Sequence, residues 1–280
     1  MITINSVSGG KTSAYIAANY DSDYNLFSLV TTESEECRFK DESLRQKVSD
    51  RIGKEFIGTL EDDIIIHTIF DLEQYIGKEI VWVSGISFDE VIKTKGGWLP
   101  NKLHRYCTTH LKLEPMFEWW RENFDEPVQF RIGFRANEQG RAKRTLEKRN
   151  KDGYLEHKAV VGKYGTRKKW GNIPWQIPTF PLIEDQIYKD NIEKFWKDKP
   201  VRFAWMNNCV GCFHKNPVLL NKMFTKHPNK MKWFADQEQG RKKQDGWINH
   251  MRYNDIKNWN LQTELFDTDF TDCDSGYCGI

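Results

Sequence analysis

Apolar and polar positions change period several times along the first half of this 280-residue chain. Ile2-Thr3-Ile4-Asn5-Ser6-Val7 alternates at period two and predicts a strand, whereas Thr12 to Asn19 follows helical spacing. Phe27 to Thr32 predicts a second strand and Asp41 to Gly53 a second helix. Ile80–Val83 and Phe130–Phe134 predict two more strands of one sheet. Strands that alternate with helices imply right-handed crossovers and a mostly parallel sheet, so the expected class is α/β with flanking helices. From about residue 199 the chain reads as mainly helical, which divides it into a domain over 1–198 and a C-terminal region over 199–280. No internal repeat or low-complexity tract interrupts this pattern.

Charge refines the picture. The chain holds 42 Lys+Arg against 40 Asp+Glu, a net charge of +2. The segment 141–170 alone carries 11 basic and 3 acidic residues, and Glu264 to Asp274 carries five acidic residues and no basic one. The basic segment is either a solvated, partly mobile insertion or a surface for phosphates or nucleic acid. Trp170 and Trp175 adjoin it, and aromatics among cations can stack bases. Most of the other tryptophans, all from Trp82 onward, are expected in the core or in helix packing. A mean hydropathy of -0.71 and no apolar run near 18 residues argue against a membrane partner. Met1 to Asn5 lacks the basic and apolar regions of a secretion signal, so a cytoplasmic location is expected. In a reducing compartment the six cysteines (37, 107, 209, 212, 273 and 278) are expected as metal ligands or reactive thiols.

Ser8-Gly9-Gly10-Lys11-Thr12-Ser13 lies between the first strand and the first helix. Two glycines allow a tight turn close to an anion, and the helix that follows points free N–H groups and its positive dipole end there. Ser8, Thr12 and Ser13 add hydroxyls and Lys11 a charge. The spacing of a Walker loop is absent.

Ser-Gly-Gly-x-x-Ser after an N-terminal strand resembles the pyrophosphatase loop of the PP-loop superfamily. Further along, Arg105-Tyr106-Cys107 with Lys112 and Pro115 resembles the Arg-x-Cys-x-x-x-x-Lys-x-x-Pro element of its phosphoadenosine-phosphosulfate (PAPS) reductase family. Gly133-Phe134-Arg135-Ala136-Asn137-Glu138-Gln139-Gly140-Arg141 resembles that family's Gly-x-Arg-x-x-Glu-Ser-x-x-Arg element, with Gln139 for Ser and the last Arg one position early. Pro181-Leu182 and 187–196 resemble the segment before its closing helix. The resemblance implies a Rossmann-like, adenine nucleotide alpha hydrolase-like fold over 1–198. It implies ATP or PAPS bound by residues 8–13 with Arg105, Lys112, Arg135 and Arg141, and chemistry at or beside the α-phosphate. Lys11 and Arg135 are the expected catalytic cations. Many relatives have Asp where Thr12 stands, so a Mg2+ ion would draw on Asp41 or Glu35 instead.

Cys209-Val210-Gly211-Cys212 has a spacing that brings two thiolates to one metal centre. With Cys107 upstream, the set resembles PP-loop enzymes that hold a four-iron four-sulfur cluster by one early cysteine and a later pair. Only three ligands match. The fourth position falls to Cys37, His214, a tail cysteine or an exogenous sulfide. Zinc, with His214 completing Cys-x-x-Cys-x-His, is the other metal reading, and a redox dithiol shares the spacing. The tail Tyr277-Cys278-Gly279-Ile280 resembles the cysteine tail of PAPS reductases, which makes Cys278 a candidate nucleophile on a mobile acidic segment. Neighbouring acidic residues would raise its pKa and oppose that role.

Three functions follow as expectations. The first is ATP-dependent adenylylation coupled to iron–sulfur-assisted sulfur transfer onto an anionic target, nucleic acid among them, held by 141–170. The second is a PAPS or adenylylsulfate reductase that releases sulfite through Cys278 with a thioredoxin-like reductant. The third is a nucleotide-binding partner protein without catalysis.

Overall fold

The computed structural model describes residues 1–241 and 245–259. The chain runs β1 (Thr3–Val7), α1 (Lys11–Asn19), β2 (Tyr24–Ser28), α2 (Glu42–Ile52), α3 (Ile64–Ile76), β3 (Ile80–Val83) and α4 (Phe88–Thr94). A three-residue turn, α5 (Tyr106–Thr108), leads through a π-helical turn over Thr109–Leu113 into α6 (Glu114–Asn123) and β4 (Val128–Arg131). Then come α7 (Gln139–Leu146), β5 (Leu155–Tyr164), β6 (Arg167–Thr179), α8 (Pro181–Glu184) and α9 (Lys189–Trp196). Helices α10 (Pro217–Lys226), α11 (Pro228–Asp236) and α12 (Tyr253–Lys257) follow. Among the described residues no helix is long and apolar enough to cross a membrane.

These elements belong to two compact units that alternate along the sequence. One comprises Met1–Phe27, Ile66–Val83 and Glu114–Phe203; the other comprises Ser28–Ile65, Ser84–Leu113 and the chain from Ala204. The expected division at 198/199 lies near the last crossing, and the four earlier crossings carry no mark in the hydrophobic pattern.

The sheet has six strands in the order β3-β2-β1-β4-β6-β5. β1 pairs in parallel with β2 and β4, β4 pairs in parallel with β6, and β5 is antiparallel to β6. It is a mostly parallel α/β sheet flanked by helices, consistent with a Rossmann-like fold. The chain leaves β1 toward β2 on one side, while β4 and β6 extend the other, so β1 and β4 flank the switch point where such sheets bind ligands.

Burial explains the central strands. Ile4 and Phe130 lie in the core with Phe117, Trp120 and Trp175, and the Trp175 ring meets those of Phe117, Trp120 and Phe130 edge-on at 5.7, 6.2 and 5.0 Å. Such contacts add about 0.5–1.5 kcal/mol each beyond simple burial. Trp175 is therefore a core residue and does not present its ring to a base. Asn5 is buried in β1, and its amide donates to the Tyr20 carbonyl, Ser22 Oγ and Asn25 Oδ1, each at 3.0 Å. A buried amide needs such partners, and here they tie β1 to the turn before β2 and to β2 itself.

Two strand bounds change: the strand expected over 130–134 is Val128–Arg131, and the second strand also shifts. The second strand is Tyr24–Ser28 rather than 27–32: Leu29 to Thr32 stay buried but leave the sheet, and Thr32 donates its N–H to the Gly58 carbonyl at 3.0 Å. Continued burial makes the two indistinguishable in the apolar pattern. The basic segment is regular structure, built from α7 and from the β5–β6 hairpin, whose register runs from Leu155 opposite Gln176 to Tyr164 opposite Arg167.

Within the first unit, Asp71 on α3 receives a two-pronged bond from Arg202, Nε and Nη2 each at 2.7 Å. The guanidinium holds the Asp71 carboxyl below its usual range. A lowered folded-state value adds stability above the unfolded pKa and loses it as pH falls. Asp71→Asn should therefore lower stability by no more than about 1 kcal/mol at pH 7, because Arg202 is solvent-exposed and screened. Denaturant melts of the two proteins should converge below about pH 4.

Candidate functional sites

The first candidate site lies at the C-terminal end of β1. Gly9 has φ +76°, a conformation glycine adopts without strain, and Gly10 precedes α1 with no side chain capping the helix. Ser13 closes the loop on itself: its Oγ donates to the Gly10 carbonyl at 3.1 Å and accepts the Ser8 N–H at 3.0 Å. The Ser8 hydroxyl lies 3.0 Å from the same oxygen. With no side-chain cap, the first N–H groups of α1 are oriented for an anion. The loop after β4 abuts it, since a Cβ on Gly133 would stand 3.4 Å from Thr12 Cγ2 and 3.6 Å from Ser13 Cα.

That second loop carries Arg135, which is buried and bonded through Nε to Glu138 Oε2 at 3.2 Å. Arg141 bonds the other oxygen of Glu138 at 2.5 Å, and its guanidinium stacks over Phe134 at 4.3 Å. One carboxylate thus gathers two arginines, and the cluster keeps a net positive charge. The Lys11 ammonium turns to Glu193 on α9, in an open cleft it shares with Lys194, Lys197, Lys199 and Phe203. Asp41 caps α2 by accepting the Leu44 N–H at 2.9 Å, and Glu35 is engaged by Arg38 at 2.5 Å.

The second candidate site lies in the other unit. Cys107 from the short turn α5 and both Cys209 and Cys212 line one cavity, together with Arg105, Lys112 and His214. Its other walls are mainly apolar, Val30, Phe88, Phe213, Phe234 and Trp247 among them. Nε and Nη2 of Arg105 are buried there with no hydrogen-bond partner in the protein. Lys112 pairs at 2.9 Å with Glu61, which is buried. Burial, and then the positive charges of Arg105 and Lys102, lower the His214 pKa to about 4, so its ring is neutral at pH 7. Cys37 does not line this cavity, and burial pushes its thiol up to about 11. Among the described residues no three His, Cys, Asp or Glu side chains converge tightly enough to hold a single metal ion. Cys273 and Cys278 lie outside the described residues.

Sequence reasoning missed what holds the Cys-x-x-Cys turn. Lys215 is buried, and its Nζ donates to Asn208 Oδ1 and, at 2.6 Å, to the Cys209 carbonyl. The Cys212 N–H donates to the Cys209 carbonyl at 3.0 Å, and the Val210 N–H to the Leu60 carbonyl at 2.8 Å. Tyr253 Oη donates to the Gly211 carbonyl at 2.9 Å; burial, then the nearby Cys212, raises that hydroxyl's pKa well above its usual value. Nothing in the local sequence marks Lys215, because its role depends on how the turn folds.

A centre held by thiolates would draw on the three thiols lining this cavity, on its mainly apolar walls and on the two unpartnered nitrogens of Arg105.

No family model matches the chain, and no solved structure matches it. Over 84 residues it is 32% identical to an uncharacterized protein of Methanocaldococcus jannaschii, a stretch that is 30% of this chain and 17% of that protein. What the fold defines is the class, an α/β protein with a mostly parallel sheet.

The Gly211 contact gives a direct test. A Cβ there would stand 2.4 Å from the ring of Phe234, which is itself buried and hemmed in by Trp233 and Trp247. Gly211→Ala should cost about 1–3 kcal/mol in a denaturant melt. Phe234→Leu should recover part of that loss in the double variant, since it removes the ring from the collision.

Proposed function

We propose that this chain is an adenine-nucleotide enzyme of the PP-loop, PAPS reductase-like kind, which activates an acceptor with ATP and replaces the activated oxygen by sulfur. The observation that carries this reading is the cavity shared by Cys107, Cys209 and Cys212 with Arg105. Cysteines about a hundred residues apart in sequence line one apolar cavity beside a guanidinium whose Nε and Nη2 have no hydrogen-bond partner. The loop at residues 8–13, at the switch point of the sheet, supports the nucleotide half.

In the reaction proposed, an acceptor oxygen attacks the α-phosphorus of ATP and pyrophosphate leaves. A sulfide equivalent then displaces AMP, which departs with that oxygen. The N–H groups at the start of α1, with Ser8 and Ser13, bind and orient the phosphates, and the arginine pair on Glu138 adds positive charge. A four-iron four-sulfur cluster held by Cys107, Cys209 and Cys212 would supply the sulfur-handling chemistry. Arg105 would balance its negative charge, and the apolar walls would exclude water.

Anaerobic purification tests the cysteine half: about four iron atoms per chain are expected, with their loss in Cys107→Ala. Gly10→Asp tests the nucleotide half with effects of opposite sign. An aspartate there caps α1, so the melting temperature should hold or rise, while its charge repels phosphate and ATP affinity should fall more than tenfold. Iron-free protein, or sulfite release from PAPS that vanishes in Cys278→Ser, would overturn the reading, the latter in favour of a reductase.

A further inference from the structure

The β5–β6 hairpin is firmly seated at its base. His157 stacks on Phe117 at 4.4 Å, and Ala159 and Trp175 are part of the core. Beyond that base the two strands run on, paired and exposed, from Val160 opposite Trp170 to Tyr164 opposite Arg167. An irregularity between Val160 and Gly162 interrupts the register, and the Val161 side chain lies over Gly171, where a Cβ would stand 3.0 Å from its methyls. A bulge of this kind twists a ribbon and re-aims its tip.

The composition of the tip sets it apart. Residues 158–170 hold five cations (Lys158, Lys163, Arg167, Lys168 and Lys169) and no acidic residue. Lys163 stands directly opposite Lys168. Like charges in that arrangement destabilise a ladder, so this pairing works against the hairpin's own stability until an anion neutralises it. The same tip exposes large aromatic rings: Trp170 is 55% and Tyr164 68% exposed, and Lys169 Nζ lies 5.2 Å from the Tyr164 ring. Closely spaced cations with exposed aromatic surface match a polymer of regularly spaced phosphates better than a single small anion.

We propose that this ribbon binds duplex DNA by entering its major groove, with Lys163, Arg167, Lys168 and Lys169 on the phosphates along the groove walls. The five residues from Val160 to Tyr164 extend about 16 Å, enough to cross a groove about 12 Å wide that is known to admit two-stranded ribbons. The deep, narrow major groove of A-form RNA does not admit one. The inference deepens the functional reading by naming its acceptor as DNA.

The test uses the full chain, a fluorescein-labelled 20-base-pair duplex and fluorescence anisotropy between 50 and 200 mM NaCl, without nucleotide. Lys163→Glu is the informative variant, because it turns the repulsive pair with Lys168 into an attractive one. Its melting temperature should hold or rise, while affinity for the duplex falls at least tenfold and the slope of log affinity against log salt shrinks by about two. Absence of duplex binding, unchanged affinity in Lys163→Glu, or tighter binding to an equal length of duplex RNA or single-stranded DNA would each overturn the proposal. ATP affinity measured on the same samples separates the two readings. Lost DNA binding with ATP bound removes only the DNA acceptor, and lost ATP binding with DNA bound removes only the nucleotide chemistry.

Discussion

A buried lysine ammonium is the constraint on which the cysteine site depends. Taking the Lys215 charge out of water is costly, and the oxygens of Asn208 and of the Cys209 backbone compensate for it only if the turn keeps one shape. That shape leaves Gly211 flat against Phe234 and directs its carbonyl to Tyr253. The spacing of two cysteines would permit many turns. The ammonium, the ring and the tyrosine select the one in which both line the cavity with Cys107.

The loop after β1 follows a different logic. Its order comes from hydroxyls and backbone, with Ser13 bonded to Ser8 and Gly10, and its lysine side chain is directed to Glu193. Positive potential there comes from helix N–H groups and from the two arginines that share Glu138. A loop built this way can approach a phosphate closely, because no side chain caps the helix ahead of it.

How much of this was legible in the sequence varied with the range of the forces involved. Strand β1, helix α1 and the Ser8–Ser13 turn follow from local period and from two glycines, and the structure has them within a residue or so. Helix α2 was equally legible, from Asp41 at its start and Gly53 at its end. The β5–β6 hairpin was not, because strings of lysine with Gly162 and Gly165 carry no apolar alternation; its strands pair because their base is anchored under Phe117 and Trp175. Arg105 and Lys112 read as companions of the phosphate loop because they share one motif. The structure places them in the unit that carries the cysteines, with Arg105 lining the cavity and Lys112 on Glu61. Contacts across a hundred residues leave no periodic trace, so neither Lys215 nor the partner of Lys112 could be read locally.

The alternation of the two units along the chain bears on how such a protein can change over evolutionary time. With five crossings, at 27/28, 65/66, 83/84, 113/114 and 203/204, neither unit is a contiguous cassette. A recombination event that exchanged either unit whole would have to import three separate segments at once, because each unit is assembled from three. Gain or loss of a whole module is thus closed to this architecture. Divergence is left to substitutions in place and to growth at loops and hairpins, such as β5–β6, that begin and end within one unit.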